Sequence, residues 1–264
     1  MKGYLFYELA DAERNSGFIE ALKSSAEGLG IQLHLVHHEG QILNTDDFIL
    51  YRSRNHKLAK KLEAMGHRLI NRAEVNVIAN DKLKTVQMVQ LLGIQTVPTT
   101  RLKEIDELRH FPIVLKTVDG HGGQEVELCH NRSEAEEFIN VMEGKIIIAQ
   151  PYIETESTDV RVFVIGDEVV GAVKRTGVES FKSNFTLGGN VERFELSGTQ
   201  EEEALKIARA LKSDYIGIDF LLLPDGTWML NEIEDPVGAR SFYETHDTNI
   251  AELLMEHIKK VVSG

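Results

Sequence analysis

The first seventy residues show apolar segments of strand length that alternate with segments of helical spacing. GYLFYE, QLHLV, FILYR and RLIN are short and apolar enough for buried strands. Between them, apolar residues predict a helix from about Ser16, with Phe18, Ile19 and Leu22 on one face, and a second helix over HKLAKKLEAMGH. Strands that alternate with helices indicate an α/β unit with a mostly parallel sheet.

Beyond Phe111 the pattern changes to paired strands separated by turn signals. A helix over DKLKTVQMVQLLGI leads into this part, which contains the strands FPIVLK, EVELC and IIIAQPYI and then two long hairpins. We therefore predict an α/β unit at residues 1–75 and two α+β lobes at residues 76–154 and 155–264. A cleft between such lobes is a usual place for a ligand to bind.

The last hairpin, YIGIDFLLLPDGTWMLNEIEDP, brings carboxylates together. With Asp225 and Gly226 as its two turn residues, Asp219 lies directly across from Glu232. Strand alternation would place four side chains on one face: Trp228, Leu230, Glu232 and Glu234. Adjacent carboxylates repel, so positive charge is expected there, either Mg²⁺ or Mn²⁺ or neighbouring lysines and arginines. A turn one residue longer would break this register.

The preceding hairpin, DVRVFVIGDEVVGAVKR, combines a polar and an apolar face. A two-residue turn at its Gly-Asp pair places Asp159 opposite Lys174 and Arg161 opposite Ala172. One face then carries Asp159, Arg161 and Lys174 beside Phe163. This face is either part of a binding site or a solvated surface with an ordinary ion pair.

A glycine-rich stretch, KTVDGHGGQEV, joins two of the predicted strands and carries Gly120, Gly122 and Gly123. It matches neither the P-loop nor the dinucleotide-binding pattern. Such a loop can donate backbone N–H groups to phosphates, with Lys116 at its base as a point charge. The alternative interpretation is an ordinary hairpin with a long turn.

Composition narrows the class of protein. A formal charge of −13 over 264 residues argues against a nucleic-acid partner, because phosphates would be repelled. The single cysteine, Cys129, excludes an intrachain disulfide and fits a reducing compartment. No apolar run approaches the roughly 18–20 residues that span a bilayer, so we expect a cytoplasmic protein without membrane contact. The sequence shows no clear oligomer interface and leaves an oligomer open.

In order and spacing, these parts resemble the ATP-grasp superfamily and, within it, the RimK-like amino-acid ligases. The resemblance runs from about Leu69 to the C-terminus, and residues 1–75 look like the family's pre-ATP-grasp domain. It implies an ATP-grasp fold, in which the two α+β lobes enclose the nucleotide. It also implies the ATP-binding positions Lys82, Lys116, Gly120, Gly122, Gly123, Gln150, Tyr152, Ile153, Asp159 and Asn184.

The same resemblance implies a reaction. Arg161 and Lys174 would be catalytic residues near the phosphates, and Asp219, Glu232 and Glu234 would hold two Mg²⁺ or Mn²⁺ ions. The implied enzyme is an ATP-dependent carboxylate-amine ligase that forms an acylphosphate and releases ADP and phosphate. Its substrates would be small-molecule acids and amines, such as amino acids, or a peptide or protein terminus.

Three departures from the family pattern bear on rate and substrate. Glu234 stands where the family usually has asparagine, Leu187 stands where RimK-like enzymes commonly carry a basic residue, and DPVGARSFYE introduces Arg240. The arginines Arg52, Arg54 and Arg240 are candidates for binding the carboxylate of the acid substrate. Their alternative role is surface solubility.

Two other functions stay open at the level of sequence. One is an ATP-binding structural or regulatory protein without ligase turnover, which the Glu234 departure and the lack of a recognisable acceptor site favour. The other is a kinase that stops after phosphoryl transfer.

Overall fold

The computed structural model describes residues 1–45, 47–123, 125–177 and 189–264. Its strands are β1 Lys2–Phe6, β2 Gln32–Val36, β3 Phe48–Tyr51, β4 Arg68–Ile70, β5 Thr100–Arg101, β6 Ile113–Thr117, β7 Val126–Cys129, β8 Ile147–Pro151, β9 Thr158–Ile165, β10 Glu168–Thr176, β11 Asn190–Arg193, β12 Tyr215–Leu222 and β13 Trp228–Glu234. Its α-helices are α1 Leu9–Arg14, α2 Ser16–Gly28, α3 His56–Ala64, α4 Ala73–Ala79, α5 Lys82–Leu91, α6 Arg132–Val141, α7 Gly198–Leu211, α8 Arg240–Thr245 and α9 Ile250–Ser263.

The N-terminal sheet has the order β2-β1-β3-β4 and is parallel throughout, as predicted. Alternation along β1 sends Leu5 to one face and Phe6 to the other. Leu5 packs in a core with Leu22 of α2, whereas Phe6 packs in a second core with Leu62 of α3. The helices therefore cover both faces of this sheet.

The second sheet, β5-β8-β6-β7, is antiparallel and is covered on one face by α6. Leu115, Cys129 and Phe138 pack in that core. Burial raises the pKa of Cys129 to about 11, so this thiol stays protonated and acts as a packing residue. The opposite face, with Val114 and Gln150, lines a cleft.

The third sheet has the order β11-β10-β9-β12-β13, is antiparallel, and carries two cores. One face packs against α4, α5 and α7. The other face packs against α8, α9 and the N-terminal helix α2, so the N-terminal unit and the last part of the chain share a core. Although the sequence places α5 in the central lobe, α5 packs on the third sheet. The domain boundaries at residues 75 and 154 stay a prediction.

Among the described residues, none of the helices combines the length and the apolar character required to cross a membrane.

Candidate active site

The carboxylate hairpin has the predicted register at its acidic end, where Asp219 pairs with Glu232 and Gly217 with Glu234. The turn nevertheless differs from the prediction. The N–H of Leu223 donates to the carbonyl of Thr227 at 2.9 Å, so the turn has three residues. A β-bulge between the Asp219 and Phe220 pairs, with one extra residue on β13, then restores the predicted pairing.

The bulge changes which side chains share a face, and here the sequence prediction is wrong. Leu230 pairs with Phe220 and Glu232 with Asp219, whereas Phe220 and Asp219 point to opposite faces of β12. Trp228 and Leu230 are therefore in the core, on the face opposite Glu232 and Glu234. The extra residue, Asn231, accepts a hydrogen bond at 3.0 Å from Nζ of Lys116.

The acidic cluster consists of Asp219, Glu232 and Glu234, and one carboxylate oxygen from each lies within 4.8 Å of the other two. This set fits a hard divalent cation such as Mg²⁺ or Mn²⁺, which prefers oxygen ligands. Glu232 has the longest ion-pair contact of the three carboxylates, because Nζ of Lys82 lies 3.8 Å from its Oε2. Burial raises the pKa of Glu232, and the neighbouring carboxylates act in the same direction while Lys82 opposes them.

Arginines also neutralise this cluster, so both alternatives left open by the sequence have structural support. Arg161 donates from Nε and Nη2 to the two oxygens of Asp219 at 2.7 and 2.6 Å, and from Nη2 to Oε1 of Glu234 at 3.1 Å. Arg175 donates to Oδ2 of Asp219 at 2.8 Å. Burial alone would raise the pKa of Asp219, but these two guanidinium groups lower it to about 2. Asp219 is therefore ionised and held in place.

The β9–β10 hairpin has the predicted two-residue turn, but a bulge between Val169 and Gly171 shifts the later pairs by one residue. Asp159 consequently pairs with Arg175, and the predicted pairing with Lys174 is wrong. Arg175 donates to both oxygens of Asp159 at 2.6 and 2.7 Å.

Lys174 lies on the opposite face of the sheet, where its Nζ contacts Glu192 at 2.9 Å. The structure does not bring Lys174 together with Arg161 and the acidic cluster. Arg175 occupies the position that the sequence analysis gave to Lys174. An available signal was Gly171, since a glycine inside a strand often marks a bulge.

Two buried lysines border the cleft, Lys82 and Lys116, each 8% exposed. The side chain of Asp81 caps α5, which fixes Lys82 at the first helical position. Lys82 donates from Nζ to the carbonyl of Gly120. Burial lowers the pKa of Lys116 to about 8, with Lys82 acting in the same direction and Glu232 opposing.

The glycine loop borders the same cleft, at Gly120, Gly122 and Gly123. A Cβ on Gly120 would lie 2.4 Å from Oγ1 of Thr117, so the tight turn there requires glycine. Gly122 and Gly123 have φ values of +64° and +73°, a region that favours glycine.

The other predicted nucleotide residues that the structure describes border the same cleft. Apolar side chains from strands β6 and β12 and from two loops border it: Val97, Val114, Ile153 and Leu221. Gln150, Tyr152 and Asp159 also border the cleft, and Gln150 donates to Oγ1 of Thr99 at 2.7 Å. Asn184 lies outside the described residues.

The three candidate substrate arginines lie in different environments. Arg52 is buried, with its guanidinium carbon 5.4–5.8 Å from the ring centroids of Tyr7, Phe18 and Tyr215, so surface solubility is excluded for it. Arg54 reaches the acidic cluster, where its Nη2 lies 3.3 Å from Oε2 of Glu234. Arg240 is exposed, and its Nη2 donates to the carbonyl of Arg14 at 3.4 Å.

Sequence reasoning missed several residues of the site besides Arg175. Regular alternation along β13 would turn Asn231 away from the carboxylates, whereas in the structure it is the extra residue of the bulge and contacts Lys116. His121 and Glu125 border the cleft beside the glycine loop. Asp235 directly follows the acidic cluster, is buried, and accepts hydrogen bonds from side-chain amides at 3.0 Å each, those of Asn71 and Asn76.

Comparison with known proteins gives matches over most of the chain. The model of the RimK-like ATP-grasp domain matches residues 74–258. A probable alpha-L-glutamate ligase 2 of Shewanella amazonensis is 31% identical over 219 residues, which cover 78% of this chain and 72% of that protein. The uncharacterized protein MG011 of Mycoplasma genitalium is 29% identical over 257 residues, which cover 94% of this chain and 88% of that protein.

Solved structures resemble the whole fold. D-cycloserine synthetase DcsG superposes with a TM-score of 0.80 at 16% identity, covering 99% of this chain and all of that chain. A RimK domain ATP-grasp protein from Sphaerobacter thermophilus gives a TM-score of 0.74 at 17% identity, covering 97% and 98%. At these identities the likeness shows the fold alone, and it confirms the predicted ATP-grasp architecture.

Proposed function

This chain belongs to the RimK-like ATP-grasp family, and we propose that it is an ATP-dependent carboxylate-amine ligase that releases ADP and phosphate. The observation that carries the proposal is one cleft lined by apolar side chains, two buried lysines and Glu232 of the acidic cluster. A nucleoside triphosphate with a divalent cation requires these features: a surface for the base, cations for the phosphates and oxygen ligands for the metal.

Different residues of the cleft have different proposed roles in binding ATP. Val114, Ile153 and Leu221 provide the apolar surface for the base. Lys82 and Lys116 provide positive charge for the phosphates, and the glycine loop covers them with backbone N–H groups. The acidic cluster would hold Mg²⁺ or Mn²⁺, which neutralises charge that develops on the phosphates.

In the proposed reaction, a carboxylate oxygen of the acid attacks the γ-phosphorus of ATP, the bond to the β-phosphate oxygen breaks, and ADP leaves. The resulting acylphosphate is attacked at its carbonyl carbon by the amine nitrogen, which loses a proton as phosphate departs with the former carboxylate oxygen. Arg161 and Arg175 hold Asp219 in place during both steps. A closed cleft limits the access of water to the acylphosphate.

Amino acids or short peptides are the proposed substrates, because the Shewanella relative is named a glutamate ligase. The test incubates the protein with MgATP and pools of amino acids and short peptides, and follows ADP, phosphate and condensed products by mass spectrometry. One amide and one ADP per turnover would support the ligase. Glu232→Gln is the matched control, since it keeps the size of the side chain and removes its charge.

One observation favours a second candidate, an ATP-binding protein without turnover. The oxygens of both Asp219 and Glu234 are engaged by arginines, which would compete with a metal. Such a protein would show thermal stabilisation by MgATP but no ADP with any substrate pool. ADP formation without an amide would instead support a kinase.

A further inference from the structure

Glu234 is held by arginines from two different parts of the chain. Its Oε1 accepts from Nη2 of Arg161 at 3.1 Å, and its Oε2 accepts from Nη2 of Arg54 at 3.3 Å. Arg161 belongs to the third sheet, whereas Arg54 belongs to the N-terminal unit, in the loop between β3 and α3. Each oxygen of this carboxylate therefore accepts from a guanidinium, and a metal ion that binds Glu234 competes with these two cations for the same negative charge.

The two arginines differ in how firmly they are held. Arg161 also makes two short hydrogen bonds to Asp219, and its side chain is only 11% exposed. Arg54 makes its ion pair with Glu234, and its side chain is 33% exposed. Arg54 is consequently the arginine that a cation would displace at lower cost.

The loop around Arg54 is fixed on both sides, so displacement concerns the side chain alone. Oγ of Ser53 donates to Oε1 of Glu8 at 2.6 Å, and the carbonyl of Ser53 accepts from Nδ2 of Asn76 at 2.9 Å. Asn55 caps α3 by accepting from the N–H of Leu58 at 3.1 Å. The backbone of Arg54 thus stays beside the cluster when the ion pair breaks.

We infer that Glu234 holds Arg54 until a divalent cation binds at the acidic cluster, and that binding of the cation frees the guanidinium of Arg54 to bind the acid substrate. This inference rests on the proposed metal site. A released guanidinium is suited to a carboxylate, which it binds with two parallel hydrogen bonds. Metal binding would therefore precede recognition of the acid, and the asparagine usual at position 234 would not impose this order, because it carries no charge to hold Arg54.

The test is chemical labelling of arginines by phenylglyoxal, with and without Mn²⁺ as the only added metal, and with each labelled residue identified by peptide mass spectrometry. In the unchanged chain, Mn²⁺ should raise the labelling rate of Arg54 about two- to fivefold, the range given by a partly exposed ion pair. In Glu234→Asn, the rate should be high without Mn²⁺ and unresponsive to it. Arg240 is the internal reference, because it is exposed and should label equally throughout.

Two results would overturn the inference: an Arg54 rate that Mn²⁺ leaves unchanged or lowers, or an Arg54 rate that Glu234→Asn does not alter. Glu234→Gln serves as a second variant if the asparagine chain does not fold, since it keeps the length of the side chain. A chain that releases Arg54 with Mn²⁺ but forms no product would contradict the ligase and leave this inference standing. Product formation, combined with an Arg54 labelling rate that Mn²⁺ does not change, would support the ligase and contradict this inference.

Discussion

Replacing Lys116 by methionine is expected to stabilise the protein without nucleotide while weakening its binding of ATP. Lys116 is 8% exposed, and burial lowers its pKa from the ordinary 10.5 to about 8. Methionine has similar length and no charge, so the variant removes the cost of keeping an ammonium group in the cleft. Under the proposed function this ammonium group binds ATP, and it lowers the stability of the protein without nucleotide.

The size of the effect follows from the pKa. A difference of about 2.5 units corresponds to about 3 kcal/mol of unfolding free energy below pH 8, at about 1.4 kcal/mol per unit. This value already includes the attraction of Glu232. The variant also leaves Oδ1 of Asn231 without its donor, which costs about 1 kcal/mol. The net gain at pH 7 is therefore about 2 kcal/mol, or about 4 °C in Tm for a chain of this size.

The pH dependence identifies the cause. The folded-state pKa lies below the unfolded one, so between pH 8 and 10.5 the unfolded chain binds more protons and the stability of the unchanged protein rises with pH. The advantage of the variant should shrink across this window and be close to zero by about pH 9.5. Thermal unfolding at pH 7.0, 8.5 and 9.5 measures this difference in stability. In a separate experiment, added MgATP should raise the Tm of the unchanged protein more than that of the variant.

Lys84→Met is the matched control, because Lys84 lies on α5 with its side chain 52% exposed and should change Tm by little at any pH. A lower Tm for Lys116→Met at pH 7 would refute the reasoning. A gain of the same size at pH 7 and 9.5 would refute it as well, because better apolar packing does not depend on the protonation of a lysine.

Three further predictions concern the acidic cluster and its arginines. Glu232→Gln should abolish turnover of MgATP and leave the unfolding profile intact, as measured by ADP release and circular dichroism; normal turnover would place the metal elsewhere. Glu234→Asn should retain activity, and its complete loss in the same assay would show that this site depends on the extra charge. Arg175→Lys should lower Tm by several degrees because it breaks a buried two-bond contact with Asp159, whereas Lys174→Met should change little; equal effects would contradict the observed register.

Alternation between strands and helices in the first seventy residues predicted the parallel sheet, because each buried strand and amphipathic helix has its own period. Several short elements were not predicted. Strand β5 has two residues, and β11 and α8 have four and six; unlike the equally short β3 and β4, none of them contains adjacent aliphatic residues. The environment of Arg52 could not be predicted from the sequence either, because its aromatic neighbours come from three separate segments: Tyr7, Phe18 and Tyr215.

The two hairpins show why the turn alone does not determine which residues pair further along the strands. Each contains a bulge, and a bulge reverses the faces of every later residue on its strand. In the carboxylate hairpin the longer turn and the bulge cancel, so Asp219 meets Glu232 although the predicted turn was wrong. In the other hairpin the turn was right and nothing cancels the bulge, so Arg175 replaces Lys174 beside Asp159.

The bulge in β13 lies between the hydrophobic part of that strand and its charged part. A regular β13 would place Glu232 on the same face as Trp228 and Leu230, which the core fills. The extra residue, Asn231, allows one strand to bury its apolar side chains on one face and present its carboxylates on the other. The opposition of burial and charge within NEIE is thus the signal that predicts the bulge, and a deletion of Asn231 would force either the carboxylates or Leu230 and Trp228 onto the wrong face.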